Sequence, residues 1–167
     1  LEIASKNGID IPHLCYHPKI SKTGACRLCM VKVNGTMIKA SCTEPATDGM
    51  DVVSEDKEMT EIRKGILELL LSEGDHNCLN CDWSGDCELQ GYCSKYDVEL
   101  RNSEFPKNTR QKEFVSSKAL KRDENKCILC GRCVKACAEI QVMNVWDFTG
   151  RGSHARLTSD VEAPIGE

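Results

Sequence analysis

Residues 15–42 read CYHPKISKTGACRLCMVKVNGTMIKASC, and the reading of this stretch decides the fold. Cys15, Cys26, Cys29 and Cys42 stand at C-x10-C-x2-C-x12-C, with a hairpin signal inside the last gap. Val31 and Val33 alternate around Lys32, Asn34-Gly35 supplies two residues that accept positive φ, and Met37-Ile38 lead into a return strand. The expectation is a hairpin with a type I′ turn, embedded in a four-thiol loop. Four thiols of this kind suit a metal centre. Zinc usually draws its thiolates from two C-x2-C knuckles, and only one is present here. A single C-x2-C with isolated outer cysteines favours a 2Fe–2S cluster. Gly24 and Ala25, just before Cys26, are small enough to let backbone N–H groups approach its sulfides. The spacing differs from the plant-type C-x4-C-x2-C run.

Two further cysteine groups lie downstream. Cys78, Cys81 and Cys87 are spaced C-x2-C-x5-C. Three thiolates leave one iron of a 4Fe–4S cluster without a ligand, so a fourth group is needed. Both His76, just upstream, and Cys93, six residues after Cys87 on a helix expected to start there, are candidates. A histidine ligand is neutral where a thiolate is negative, and so raises the cluster's potential. Cys127, Cys130, Cys133 and Cys137 form C-x2-C-x2-C-x3-C, the bacterial 4Fe–4S run, with Ala138 where proline often follows. Cys137 either closes that cluster or serves a neighbouring one. His13, His17 and His154 read as hydrogen-bonding or surface residues, and Trp83 and Trp146 as packing residues.

Twelve cysteines in 167 residues would suggest a disulfide scaffold in a secreted chain. Their C-x2-C pairing argues instead for shared metals, and the sequence shows neither a signal peptide nor a membrane-length apolar run. A reducing compartment, the cytoplasm, is expected. Charge is uneven: residues 1–100 carry 10 Lys and Arg against 17 Asp and Glu, residues 101–137 carry 10 against 4, and residues 138–167 carry 2 against 5. The basic stretch has few aromatics, which argues against nucleic acid; it reads as a solvated linker face or a docking surface for an acidic partner.

Around the cysteines, Leu1, Ile3 and Ala4 form the buried side of a short helix ending near Gly8, and residues 44–53 end in a short strand. Ser54 is positioned to cap a helix whose buried face is Met59, Ile62, Ile66, Leu69 and Leu70, stopping by Gly74. Residues 98–122 have no strong period. Ile140, Val142, Val145, Trp146 and Phe148 suggest a helix end and a strand. Neither a Gly-rich nucleotide loop nor a nucleophile triad is recognisable. Three functional classes remain: an electron-transfer part of a larger oxidoreductase, a stand-alone soluble ferredoxin-type carrier, and a zinc-stabilised interaction protein.

Taken together, PHLCYHPKISKTGACRLCMVKV (12–33), SCTEPATDGM (41–50), CLNCDWSGDCELQ (78–90) and NKCILCGRCVKAC (125–137) followed by EIQ carry a resemblance. The chain resembles the N-terminal iron–sulfur module shared by the large iron–sulfur subunit of NADH dehydrogenase (complex I), the FeFe hydrogenases with their diaphorase relatives, and NAD-dependent formate dehydrogenases. The resemblance implies an α+β chain in consecutive parts. A β-grasp 2Fe–2S ferredoxin domain (1–53) precedes a small helical 4Fe–4S domain with one His and three Cys ligands (54–100). A linker (101–122) then leads to part of a bacterial-type 4Fe–4S ferredoxin domain (123–167). It also implies one 2Fe–2S and at least two 4Fe–4S clusters, and partnership with a flavoprotein subunit that oxidises NAD(P)H and with other redox subunits. Two departures stand out. The family's ligand histidine lies four residues before the first cysteine of the second motif, where this chain has Gly74. The opening β-grasp hairpin and a second four-cysteine run are also missing, so the residues in hand are expected to belong to a longer polypeptide.

Overall fold

The hairpin forms where the sequence places it. In the computed structural model, which describes residues 1–99, 114–116 and 121–159, β1 (Met30–Val33) pairs antiparallel with β2 (Met37–Ala40), from Met30↔Ala40 to Val33↔Met37. Asn34 and Gly35 take φ of 49° and 79°, the positive values a type I′ turn requires. Pairing resumes only at Met37, so the loop holds three residues where a type I′ turn needs two. Asn34 is also committed sideways. Its N–H donates to Asp51 O at 2.9 Å, and its Oδ1 accepts from Asp51 N at 3.1 Å. That pair delivers β3 (Val52–Val53) to the other edge of β1, giving the order β2-β1-β3.

One face of this sheet is apolar. Val31 and Val33 bury themselves with Ile11, Cys29, Ala40 and Cys42, and Ala4 of α1 (Glu2–Lys6) and its N-cap Leu1 pack against them. Ile3, expected on the buried side, points to solvent. A helix of five residues lays only one i, i+3 pair on the core.

α2 (Lys57–Ser72) lies against β1 and differs from expectation at its start and along its face. The cap is Asp56, not Ser54: its Oδ1 accepts from Met59 N at 2.8 Å while Lys32 Nζ holds Oδ2 at 2.7 Å. Ser54 is diverted because its carbonyl accepts from Arg63 Nη2 at 2.6 Å. The buried stripe is Met59, Arg63, Leu67 and Leu71, an i, i+4 series with an arginine inside it. Ile66 and Leu70 are partly buried beside it, and Leu69 is 48% exposed. A stripe interrupted by a charge does not read as apolar, so the visible leucines and isoleucines point to a face rotated away from the true one.

Arg63 is fully buried. Its Nη1 meets Glu55 Oε2 at 2.6 Å and Tyr96 Oη at 3.1 Å. Its Nη2 donates to Met30 O at 3.0 Å and to Ser54 O, and Nε donates to Leu28 O at 3.4 Å. The guanidinium therefore pins the first cysteine loop to α2 and to the end of α3 (Glu88–Lys95), whose N-cap is Cys87 as the sequence anticipates.

Leu14, Cys15, Cys26 and Leu28 from the first loop, Leu67 and Leu71 from α2, and Leu89, Cys93, Tyr96 and Val98 from α3 and its exit form one buried cluster. Ile128 and Cys130 of the third motif pack against it. Each fully buried leucine here contributes about 1.5–3 kcal/mol. Beyond it, β4 (Phe114–Ser116) pairs with β5 (Lys121–Asp123), and β6 (Trp146–Thr149) with β7 (Arg156–Ser159). The strand pair at 114–123 is not visible in the sequence, because three residues are too few to display a two-residue period. Residues 101–113 and 117–120 of the basic stretch, and with them most of the expected linker, lie outside the described residues. α4 (Arg132–Lys135) runs into a π turn at Ala136–Ile140. The chain is α+β, and no described helix is long and apolar enough to cross a membrane.

Removing the guanidinium leaves the carbonyls of Leu28, Met30 and Ser54 without their donor. Arg63→Met is expected to lower stability by about 1–3 kcal/mol for each buried carbonyl left unpaired, and Arg63→Lys to recover only part of it, because an ammonium cannot span the same acceptors. Denaturant unfolding of the three proteins checks the order.

Candidate iron–sulfur centres

The first four cysteines come together as their spacing suggests. Cys15, Cys26, Cys29 and Cys42 are all buried. The Cys26 thiol hydrogen-bonds Cys15, which with backbone N–H groups of Cys26 and Ala25 holds the Cys15 thiol down at about 6 against the opposing effect of burial. The same bond, with burial, pushes Cys26 far up. Cys42 is pushed up to about 11 by burial and by its hydrogen bond with Cys29. Backbone amides of Leu14 (3.4 Å) and Leu28 aim at the Cys26 sulfur. Gly24, at φ 64°, turns the chain just before Ala25 and Cys26. The loop thus gathers buried thiols with backbone N–H groups aimed at their sulfurs, the kind of environment an anionic iron–sulfur core needs.

The second group lines a cavity. A space of about 250 Å³ between the second and third motifs is bounded by His76, Cys78, Cys81, Cys87, Cys130 and Arg132. Cys78 begins a single helical turn (Cys78–Asn80); its thiol is pushed up by burial and by the charges of Cys87 and Cys81. Cys93 is elsewhere. It sits on α3 at 1% exposure inside the apolar cluster, and burial followed by the charges of Cys78 and Cys87 pushes its thiol up to about 12. Gly74 lies against the third motif. A Cβ built there would fall 1.9 Å from Asn125 O and 3.4 Å from His76 Nε2, and Asp75 N donates to that same carbonyl at 2.9 Å. Trp83, expected to be a packing residue, is 66% exposed on the cavity rim. It follows Cys81 on a loop whose sulfurs hold the interior side.

In the third group Leu129 and Gly131 take positive φ (54° and 76°), which folds the run back on itself. Cys133 feels the charges of Cys130 and Cys127. Cys137 lies in the π turn, where its sulfur accepts from Val145 N at 3.3 Å. Among the described residues no three His, Cys, Asp or Glu side chains close on a single-ion point. His13 Nδ1 meets Ile11 O at 2.9 Å and His17 Nδ1 accepts from Lys19 N, both local roles. Trp146 packs under the Arg122 guanidinium at 4.9 Å.

Sequence reasoning missed the residues that tie the three groups together. Arg132, inside the third run, reaches Glu88 beside Cys87 and the carbonyl of Tyr16 beside Cys15. Tyr92 Oη accepts from His13 N at 3.4 Å. Glu139 accepts from Ser21 N at 2.6 Å and from its hydroxyl. An arginine set between two thiols of a ligand run was the available signal for the first of these.

Known proteins repeat this architecture. Residues 1–57 match the family model for a 2Fe-2S iron-sulfur cluster binding domain. Residues 63–101 match the NADH-ubiquinone oxidoreductase-G iron-sulfur binding region, and residues 117–166 the ferredoxin-like domain of NADH-quinone oxidoreductase subunit 3. Over 166 residues the chain is 37% identical to the gamma subunit of the NAD-reducing hydrogenase HoxS of Cupriavidus necator, covering 97% of this chain and 69% of that subunit. The chain belongs to this family of iron–sulfur subunits. It is 34% identical over 173 residues to the NADP-reducing hydrogenase subunit HndD of Solidesulfovibrio fructosivorans, where it spans 29% of the relative. Against a subunit of the NADH-quinone oxidoreductase of Salmonella typhimurium it is 33% identical over 135 residues, which are 77% of this chain and 15% of the relative. A crystal structure of an NAD+-reducing NiFe-hydrogenase in the H2-reduced state superposes with a TM-score of 0.87 at 41% identity, over 95% of this chain and 67% of that one. The family member described here is an electron-transfer iron–sulfur module of the kind such oxidoreductases carry, with 2Fe–2S and 4Fe–4S binding domains in that order.

The Gly74 contact gives a direct test of how the second and third motifs dock. Gly74→Ala forces the Asn125 carbonyl away and is expected to cost about 1–3 kcal/mol, the usual range for overpacking. Gly65→Ala, where a Cβ meets nothing within 4 Å, is the control, and thermal unfolding of both variants reads the difference.

Proposed function

We propose that this module relays single electrons between an NAD(P)H-oxidising flavoprotein subunit and a distal redox site of a larger complex, in a reducing compartment such as the cytoplasm. One observation carries the reading. Cys15 and Cys26 of the first group share a buried cluster with Cys93 of α3, and Cys87 and Cys130 of the other two groups pack against it. Electron transfer falls off steeply with distance, so redox centres held on one core are what a relay needs. The alternative readings, a free carrier or a zinc-stabilised protein, do not call for three centres on a common core.

The residues assigned to each centre follow from position. Cys15, Cys26, Cys29 and Cys42 hold the 2Fe–2S centre in the first part, whose sheet and helix fit a β-grasp with β1 at its middle. His76, Cys78, Cys81 and Cys87 hold a 4Fe–4S centre, because all four line the same cavity. Cys93 is left as a core residue behind them. Cys127, Cys130, Cys133 and Cys137 supply the thiolates of the third run, Cys137 closing this centre or serving an adjoining one. When bound, the clusters supply reversible one-electron chemistry. The chain's own part is to keep the thiols buried, aim backbone amides at the sulfurs, and keep water from the space between the centres. The segments 1–53, 54–100 and 123–167 remain the division that these three centres suggest.

Metal analysis tests the reading. Purified without air, the chain is expected to contain iron and acid-labile sulfide in about equal amounts and no stoichiometric zinc. His76→Ala is expected to lose about four irons per chain, the content of one 4Fe–4S cluster, whereas Cys93→Ala keeps its iron. The opposite pattern would transfer the ligand role to Cys93, and stoichiometric zinc in the unmutated chain would remove the relay reading altogether.

A further inference from the structure

Arg132 stands between all three cysteine groups. It directly precedes Cys133 in the third run. Its Nη1 meets Glu88 Oε2 at 2.6 Å, and Glu88 directly follows Cys87. Its Nη2 donates to Tyr16 O at 3.1 Å, and Tyr16 directly follows Cys15. The same side chain lines the cavity that holds His76, Cys78, Cys81 and Cys87. Only about a third of it is exposed, so solvent screens its charge incompletely.

The geometry points to Arg132 as a positioning residue for electron transfer: its guanidinium fork fixes the three centres relative to one another, and its charge sets how an electron distributes among them. The inference rests on the relay reading above. Two physical arguments support it. A planar fork with donors at fixed angles can hold a carboxylate and a carbonyl at once, which a lysine ammonium on a flexible stem does less well. An electron arriving at any centre adds one negative charge, and a cation nearby lowers the energy of that reduced state, more so the closer it lies and the lower the local dielectric. Glu88 acts with the opposite sign on the second centre. The Arg132–Glu88 pair is therefore a charge balance set between the groups, and its two halves can be removed separately.

Lys126 also lines this cavity, and its charge lowers the Cys78 thiol's pKa against the dominant effect of burial. Its ammonium is committed to Asp123 at 3.7 Å, within its own stretch of chain. Arg132, by contrast, lies inside one cysteine run and bonds a residue beside a cysteine of each of the other two.

The test uses the full chain carrying its clusters, with spectroscopically monitored redox titrations of the unmutated protein, Arg132→Gln, Arg132→Lys and Glu88→Gln. Arg132→Gln is expected to lower the potentials, most at the second and third centres; each tenfold change in the one-electron equilibrium corresponds to 59 mV. Arg132→Lys keeps the charge and is expected to restore most of the potential, while the altered fork broadens the spectra. Glu88→Gln is expected to shift the second centre in the opposite direction, upward. Should Arg132→Gln fail to retain its clusters, the Lys and Glu88→Gln arms decide. Potentials unchanged in both Arg132→Gln and Glu88→Gln, or a downward shift in Glu88→Gln, would overturn the inference. An unmutated chain without iron would instead overturn the relay reading beneath it, so the two failures are distinguishable.

Discussion

A loop that holds an anionic cluster turns backbone N–H groups inward, and the carbonyls it buries must then find donors elsewhere in the protein. The first cysteine loop meets this constraint through Arg63. The Leu28 amide aims at the Cys26 sulfur, and the Leu28 carbonyl, on the other side of that residue, accepts from Arg63 Nε. The Met30 carbonyl, just past Cys29, accepts from Nη2. Unpaired, each buried carbonyl would cost about 1–3 kcal/mol. A guanidinium with five donors collects them together with Ser54 O, Glu55 and Tyr96. The rest of the structure follows from that meeting. Fixing Ser54 moves the helix cap to Asp56, and fixing Tyr96 docks the end of α3 against the same loop.

Burying this arginine is tolerable because its charge is answered on one side by Glu55, which is itself half exposed. The carboxylate keeps much of its hydration while the guanidinium loses nearly all of its own. A fully buried pair would carry the desolvation of both groups. Here only one ion is removed from water, and it is the more weakly hydrated kind. The contact is accordingly a structural one: it stabilises the loop by supplying donors to carbonyls more than by attraction between charges.

What can be read from the sequence is local. The Asn34-Gly35 turn, the helix beginning at Cys87 and the stop near Gly74 each depend on a few neighbouring residues, and each has its counterpart in the structure. The differences share another cause. The apolar pattern of α2 is offset from the buried stripe, sharing Met59 with it, because Arg63 sits where an apolar residue is expected, and its partners Leu28, Met30 and Tyr96 are 33 to 35 residues away. The cap moves to Asp56 because Lys32, in another element, helps hold it. Arg132 is marked in the sequence only by its place between two thiols of the third run; its partners Tyr16 and Glu88 are 116 and 44 residues distant. Long-range polar contacts of this kind leave no periodicity behind.

The displaced histidine follows the same logic. In the family pattern the ligand histidine would occupy position 74, but here that position is a backbone contact. The Asn125 carbonyl approaches so closely that not even a methyl group fits, and Asp75 N bonds it in the next step. Asn125 stands two residues before Cys127. Position 74 thus serves the docking of the third motif, which leaves no room for a side chain. His76, two residues later, lines the cavity of the second motif. What looks like a broken motif in the sequence is, in three dimensions, a backbone contact that only glycine can make.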